Sequence, residues 1–147
     1  MSPGRGRAHV AVVGAGAAGT LAAARLLAAA TARGRAVTVR LVDPAPDTGR
    51  GVAYRTEDPR HLLNVPAGRM SGDPGDPDHF VRWLAARGRP RASGDYVPRG
   101  EYGRYLEDVL HTAAAASRDA RLDRVHDRVT AVRRQGDAVR LDLAGGG

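Results

Sequence analysis

A glycine-rich turn between two short β-rich runs limits this chain more than anything else in its sequence. Val12-Val13-Gly14-Ala15-Gly16-Ala17-Ala18-Gly19 follows the first run, residues 8–13, and opens an Ala- and Leu-rich segment over residues 18–33. A second run, residues 36–42, ends at Asp43. Two short strands joined by a helix of this length pair in parallel, through a right-handed crossover. The first run is short and β-rich, of the kind buried in a parallel sheet. Gly34 stands where the helix must stop, and Arg33 at the negative end of its dipole.

Each part of this G-x-G-x-x-G pattern has a physical task. Gly14 permits the tight turn, Gly16 lets a pyrophosphate approach the backbone, and Gly19 lets the helix pack closely on the strand. The intervening Ala15, Ala17 and Ala18 contribute backbone N–H groups at the positive end of the helix dipole, where phosphate charge is stabilised. Asp43 closes the second strand, where a carboxylate can accept both ribose hydroxyls of an adenosine. The same carboxylate would repel a 2′-phosphate, which argues against NADP at this position. The expected ligand is the ADP half of a dinucleotide.

Composition removes several other classes. The chain has 147 residues, enough for one domain with a real core, and 42% are hydrophobic against 27% charged. Its net charge of +7 would suggest nucleic acid, but the sequence has no lysine. An excess carried by arginine alone, beside so much Ala and Gly, reflects a GC-rich coding sequence, and nucleic acid is not expected as a partner. With no cysteine, disulfides, thiolate metal sites and a redox-active thiol pair are excluded within the chain. The N-terminal apolar stretch superficially resembles a signal peptide, but His9, the glycines and Arg25 interrupt it. It is too interrupted to cross a membrane, and the default expectation is a cytoplasmic protein.

Residues 44–75 show little periodicity and many Pro, Gly and Asp residues, a length of loop that is more often functional than decorative. Asp76 then reads as a helix cap, with Pro77 in the first helical position and Phe80, Val81, Leu84 and Ala85 on the apolar face. A longer helix is expected from about Arg99 to Ser117, where Tyr102, Tyr105, Leu106, Val109, Leu110 and Ala113 fall on one face. Residues 121–126 follow as a third strand. Residues 128–134 and 138–143 form a hairpin around Gly136. The chain stops at Gly145-Gly146-Gly147, directly after a strand without a further partner. The expectation is a third antiparallel strand beyond it, so the domain reads as incomplete at its C-terminus, with the fragment alone inactive.

Three further stretches carry a resemblance: Gly49-Arg50-Gly51-Val52-Ala53-Tyr54, His61 to Ser71 (HLLNVPAGRMS), and Val97 to Leu106 (VPRGEYGRYL). With the glycine loop and Leu41-Val42-Asp43-Pro44, they are similar to the FAD/NAD(P)-binding domain of the FAD-dependent urate hydroxylase and L-aspartate N-monooxygenase family. The resemblance covers about residues 8 to 135. It implies an α/β, three-layer Rossmann-type fold. It also implies FAD on Gly14, Gly16, Gly19 and Asp43, with NAD(P)H as co-substrate at a later site. The chemistry implied is reduction of the flavin, activation of O₂ and oxygen transfer to a small-molecule substrate.

The same resemblance puts Asn64 and Arg69 near the flavin or its phosphates, where an amide can bond the isoalloxazine rim and a guanidinium can pair with pyrophosphate. The competing reading is a loop held by its own polar side chains. Arg50, between two glycines, can face a phosphate or substrate, or be solvated. Val129 opens the strand where related flavoproteins grip adenine with backbone groups. His61 is either an acid–base group or structural. His9, His79, His111 and His126 lack metal-ligand spacing, so no metal is expected. Trp83, Tyr102 and Tyr105 read as packing residues, and Arg87, Arg89 and Arg91 as a solvated loop. No catalytic residue is identifiable. Two rivals stay open: an NAD-dependent dehydrogenase, disfavoured by the long insertion after the second strand, and a non-catalytic dinucleotide-binding module.

Overall fold

The computed structural model describes residues 6–146. Strand β1 (Ala8–Val13), helix α1 (Ala17–Ala32) and strand β2 (Val37–Val42) form the expected crossover unit, with β1 and β2 parallel from Ala8 beside Val37 to Val13 beside Val42. Helix α1 is built from strong helix formers. It stops in a Schellman motif: the Gly34 N–H donates to the Thr31 carbonyl at 3.1 Å and the Arg35 N–H to the Ala30 carbonyl at 2.9 Å. Gly34 has φ 55°, the left-handed value its position in the sequence predicts.

Strand β3 (Ala120–Val125) lies parallel to β2 on its other side, giving the sheet order β1-β2-β3. One face of this sheet is covered by α1 and by α4 (Arg99–Ala116). Ala23, Ala24, Leu27 and Ala30 of α1 pack with Val39, Leu41, Ala120 and Leu110. The alanines let the helix lie close to the strands. The opposite face is overlain by a hairpin, β4 (Val129–Gln135) and β5 (Ala138–Leu143). A cleft of about 810 Å³ separates sheet and hairpin, with Val13, Val42 and Val125 on one wall and Val132, Val139 and Leu143 on the other. Helices, parallel sheet and hairpin make the three layers.

The segment between β2 and α4 forms a second apolar cluster, in which Leu63, Phe80, Leu84, Val97, Tyr102, Tyr105 and Leu106 are buried. Phe80 meets Tyr105 and Tyr102 with ring centroids 4.8 and 5.2 Å apart, the second pair edge to face.

Among the described residues only β2 pairs with β1, and Val13 is 55% exposed. Two expectations are corrected. The 44–75 stretch is not uniformly irregular. It contains a short helix, α2 (Gly51–Tyr54), and a 3₁₀ turn at Ala67–Arg69. Helix α3 runs from His79 to Ala86, so Asp78 rather than Asp76 holds the N-cap position. The Asp76 carboxylate is drawn instead to Arg82, while its carbonyl accepts the His79 N–H at 3.1 Å.

Candidate functional site

The glycine loop lies at the carboxyl ends of β1 and β2, where open α/β sheets form their ligand crevices. Gly14 leaves β1 with φ 94° and its N–H donates to the Val42 carbonyl at 2.8 Å. Gly19 is held by a harder limit, since a Cβ there would stand 1.8 Å from the Gly14 carbonyl oxygen. Gly16 differs. Its backbone is extended, and the nearest atom to a Cβ built on it is the Gly51 Cα, 3.9 Å away. The chain itself has room for a side chain at this position, so the bare backbone is what a close-lying ligand needs.

Thr20 is the first residue of α1 to enter the helical ladder, its N–H donating to the Gly16 carbonyl at 2.9 Å. The N–H groups of Ala17, Ala18 and Gly19 come before it and have no intrahelical acceptor. They stand at the positive end of a 16-residue helix. Ala15 behaves otherwise than the sequence suggests, because its N–H donates to Asp43 Oδ2 at 2.7 Å. Asp43 Oδ1 accepts the Ala45 N–H, also at 2.7 Å. A carboxylate offers about four acceptor positions, so each oxygen retains one for a ribose hydroxyl. The two N–H donors fix the orientation of the group.

Two threonines that the sequence does not single out complete the surroundings. The Thr20 hydroxyl donates to the Ala15 carbonyl at 3.0 Å and accepts the Gly49 N–H at 2.8 Å, tying the loop after β2 to the glycine loop. Thr48 is only 3% exposed, and its Oγ1 has no hydrogen-bond partner among the described residues. A buried hydroxyl left unpaired costs about 1–3 kcal/mol. With Ala15, Asp43, Ala45, Arg124 and His126, Thr48 lines a recess of about 10 Å³. Thr20 falls on the buried stripe of α1 directly after the last glycine, which was a usable signal. Thr48, in a loop of Pro, Asp and Gly, carries none. The free N–H row, the oriented carboxylate and this orphaned hydroxyl suit the phosphates and ribose of a dinucleotide.

The remaining candidates separate. Arg50 is not free for a phosphate in this structure: its guanidinium pairs with Glu107 at 3.2 Å and Glu57 at 3.1 Å. Asn64 and Arg69 are exposed, while Leu63 and Ala67 between and beside them are buried. This alternation is fixed by backbone bonds to the 93–97 segment, from Leu63 N–H to the Val97 carbonyl, Ala67 to Asp95 and Gly68 to Ser93, all within 2.8–2.9 Å. Met70 and the α1 residues Ala17 and Leu21 pack against one apolar cluster, which seats the segment against the first turns of α1. Val129 opens β4, half-buried, opposite Leu143.

His61 Nδ1 lies 2.8 Å from the Thr56 hydroxyl, within its own loop. The buried Tyr105 hydroxyl accepts the Gly72 N–H at 2.8 Å and lies 2.7 Å from His79 Nδ1. Burial raises the Tyr105 phenol above its ordinary range, and pushes Tyr102 up to about 12 with the help of Tyr105 and Tyr54. Among the described residues no three His, Cys, Asp or Glu side chains gather into a metal-binding group, and no helix is long and apolar enough to cross a membrane.

Comparison with solved structures finds matches of low sequence identity, the first of which shows the same fold. The chain superposes on the Diels-Alderase PyrE3 of pyrroindomycin biosynthesis with a TM-score of 0.51 at 18% identity, covering 95% of this chain and 30% of that one. Tetracycline destructase Tet(51) gives 0.49 at 13% identity, covering 100% of this chain and 36% of the other. L-lysine 6-monooxygenase from Pseudomonas syringae gives 0.41 at 17%, with 92% and 30% covered. The chain therefore spans about a third of the length of these proteins. No curated protein matches it in sequence. A family model described as FAD-NAD(P)-binding matches residues 11–147. With the glycine loop, the oriented Asp43 and that match over nearly its whole length, the chain belongs to the FAD-NAD(P)-binding family.

Proposed function

We propose that this chain is the FAD-binding part of a flavin-dependent, NAD(P)H-using monooxygenase that hydroxylates a nitrogen or carbon centre of a small molecule. The observation that carries the dinucleotide reading is the Asp43 carboxylate, held by the Ala15 and Ala45 N–H groups beside an unpartnered helix N-terminus. In this reading the N–H groups of Ala17, Ala18 and Gly19 hold the pyrophosphate, and Asp43 holds the adenosine ribose. Bound flavin would supply the redox chemistry, with NAD(P)H as reductant and O₂ as oxidant. Asn64 and Arg69, exposed on a segment buttressed from behind, are proposed to face the flavin or its phosphates. Val129 is proposed to meet adenine through its backbone. The monooxygenase assignment rests on the GRGVAY and LLNVPAGRMS resemblance.

Two substitutions test the site. Gly16→Val should keep much of the helix content, because a Cβ there makes only an ordinary contact, 3.9 Å from the Gly51 Cα, but the side chain covers the surface on which the pyrophosphate would lie. FAD retention, read from the flavin absorbance of purified protein, should be lost while the circular dichroism spectrum is kept. Asp43→Ala should weaken FAD binding by about 1–3 kcal/mol in calorimetric titration. Normal flavin loading in both variants would exclude FAD from this loop.

A further inference from the structure

We infer that Thr48 is a specificity-determining residue of the dinucleotide site, donating its hydroxyl hydrogen to a ribose hydroxyl oxygen that itself donates to Asp43. The inference rests on the ADP-binding reading above and adds a second residue to the recognition of the sugar.

Asp43 by itself reads a ribose incompletely. Its carboxylate can only accept, and a ribose hydroxyl has acceptor lone pairs that then need a donor. The backbone donors nearest to Asp43, the N–H groups of Ala15 and Ala45, are already taken by its own oxygens at 2.7 Å each. The Gly49 N–H is taken as well, by Thr20 Oγ1 and the Ala15 carbonyl. Thr48 Oγ1 is the buried side-chain group of this loop whose hydrogen is uncommitted among the described residues. Thr48 and Asp43 line the same recess of about 10 Å³, room for one group the size of a hydroxyl.

Burial decides between this role and a bland one. A solvated loop threonine would hydrogen-bond to water, and a packing position would be served better by valine. Thr48 is 3% exposed and unpartnered, an arrangement that is costly unless something brings the missing partner. A ribose hydroxyl seated on Asp43 brings it. The pairing also gives discrimination, since a site built to bond a hydroxyl rejects the analogue that lacks one.

The test compares Thr48→Val and Thr48→Ser with the unaltered chain, using ADP, 2′-deoxy-ADP and 3′-deoxy-ADP as probes in calorimetric titration. In the unaltered chain one deoxy analogue should bind roughly tenfold or more weakly than ADP. Thr48→Val should weaken ADP by about five- to tenfold and leave that analogue unchanged, and Thr48→Ser should behave as the unaltered chain. The ligand-free Thr48→Val variant should melt a few degrees higher, about 2–4 °C, because its unpaired hydroxyl is gone. Equal loss for all three probes, or a lower melting temperature, would make Thr48 a packing residue and overturn the inference. Failure of the unaltered chain to bind ADP would overturn the site itself, a different and separately recognisable result.

Discussion

Gly16 and Gly19 belong to the same fingerprint, yet the structure gives them opposite reasons. A Cβ on Gly19 would collide with the Gly14 carbonyl oxygen at 1.8 Å, whereas one on Gly16 would make an ordinary contact at 3.9 Å. Gly19 therefore serves folding and Gly16 serves ligand approach. Gly19→Ala should destabilise the protein by about 1–3 kcal/mol, the usual cost of forcing extra volume into a packed site. A shift of the urea midpoint at constant slope would show it, and a midpoint equal to that of the unaltered chain would refute the steric account. Asp43 shows a different division. Its acidity, legible in the sequence, is aimed by backbone donors that no sequence pattern announces.

Among the elements, α4 does the most to connect the site to the rest of the chain. Its buried face carries Tyr102, Tyr105, Leu106 and Leu110, which the helical spacing foretells. Spacing does not foretell what the Tyr105 hydroxyl does: it takes the Gly72 N–H at 2.8 Å and reaches His79 at 2.7 Å, joining α4 to the loop and to α3. Tyr105→Phe keeps the ring and removes both bonds, leaving the Gly72 N–H without an acceptor. A loss of about 1–3 kcal/mol is expected, together with faster amide exchange at Gly72. Unchanged exchange there would mean that the hydroxyl does not hold the loop. Helix α3 starts at His79, with Asp78 in the N-cap position, while the Asp76 carboxylate pairs with Arg82.

The whole molecule divides into a well-packed helical side and an open side. Val39, Leu41 and Leu27 are 0–2% exposed beneath the helices, while Val132 and Val139 of the hairpin are 62% and 64% exposed. Amides of β4 and β5 should exchange with solvent much sooner than those of β2, since an isolated hairpin is marginal in water. Equal protection of the two would show that the hairpin is held as firmly as the sheet. A second expectation is alkaline. Tyr102 is raised to about 12 from 10.0 and Tyr105 is raised as well, chiefly by burial. Folding thus favours the neutral phenols. Their contribution is complete below pH 10 and is lost as pH climbs through the folded values, because the unfolded phenols ionise first. Denaturation should therefore accompany the tyrosinate absorbance rise between about pH 10 and 12. Tyrosines titrating normally in a protein that stays folded would contradict this.

The sequence by itself determined the crossover unit, the position of Gly34 at the end of α1, the apolar face of α4 and the place of the hairpin turn. These depend on local periodicity and on residues with restricted backbone freedom, which act over a few positions. Only the tertiary structure decided that Arg50 is claimed by Glu57 and Glu107, and that Thr48 is buried without a partner among the described residues. Glu107 is 57 positions from Arg50, and no short-range pattern links them. An arginine in a glycine-flanked loop reads the same whether a phosphate or a carboxylate waits for it; distance in space, set by the packing of α2 against α4, makes the choice.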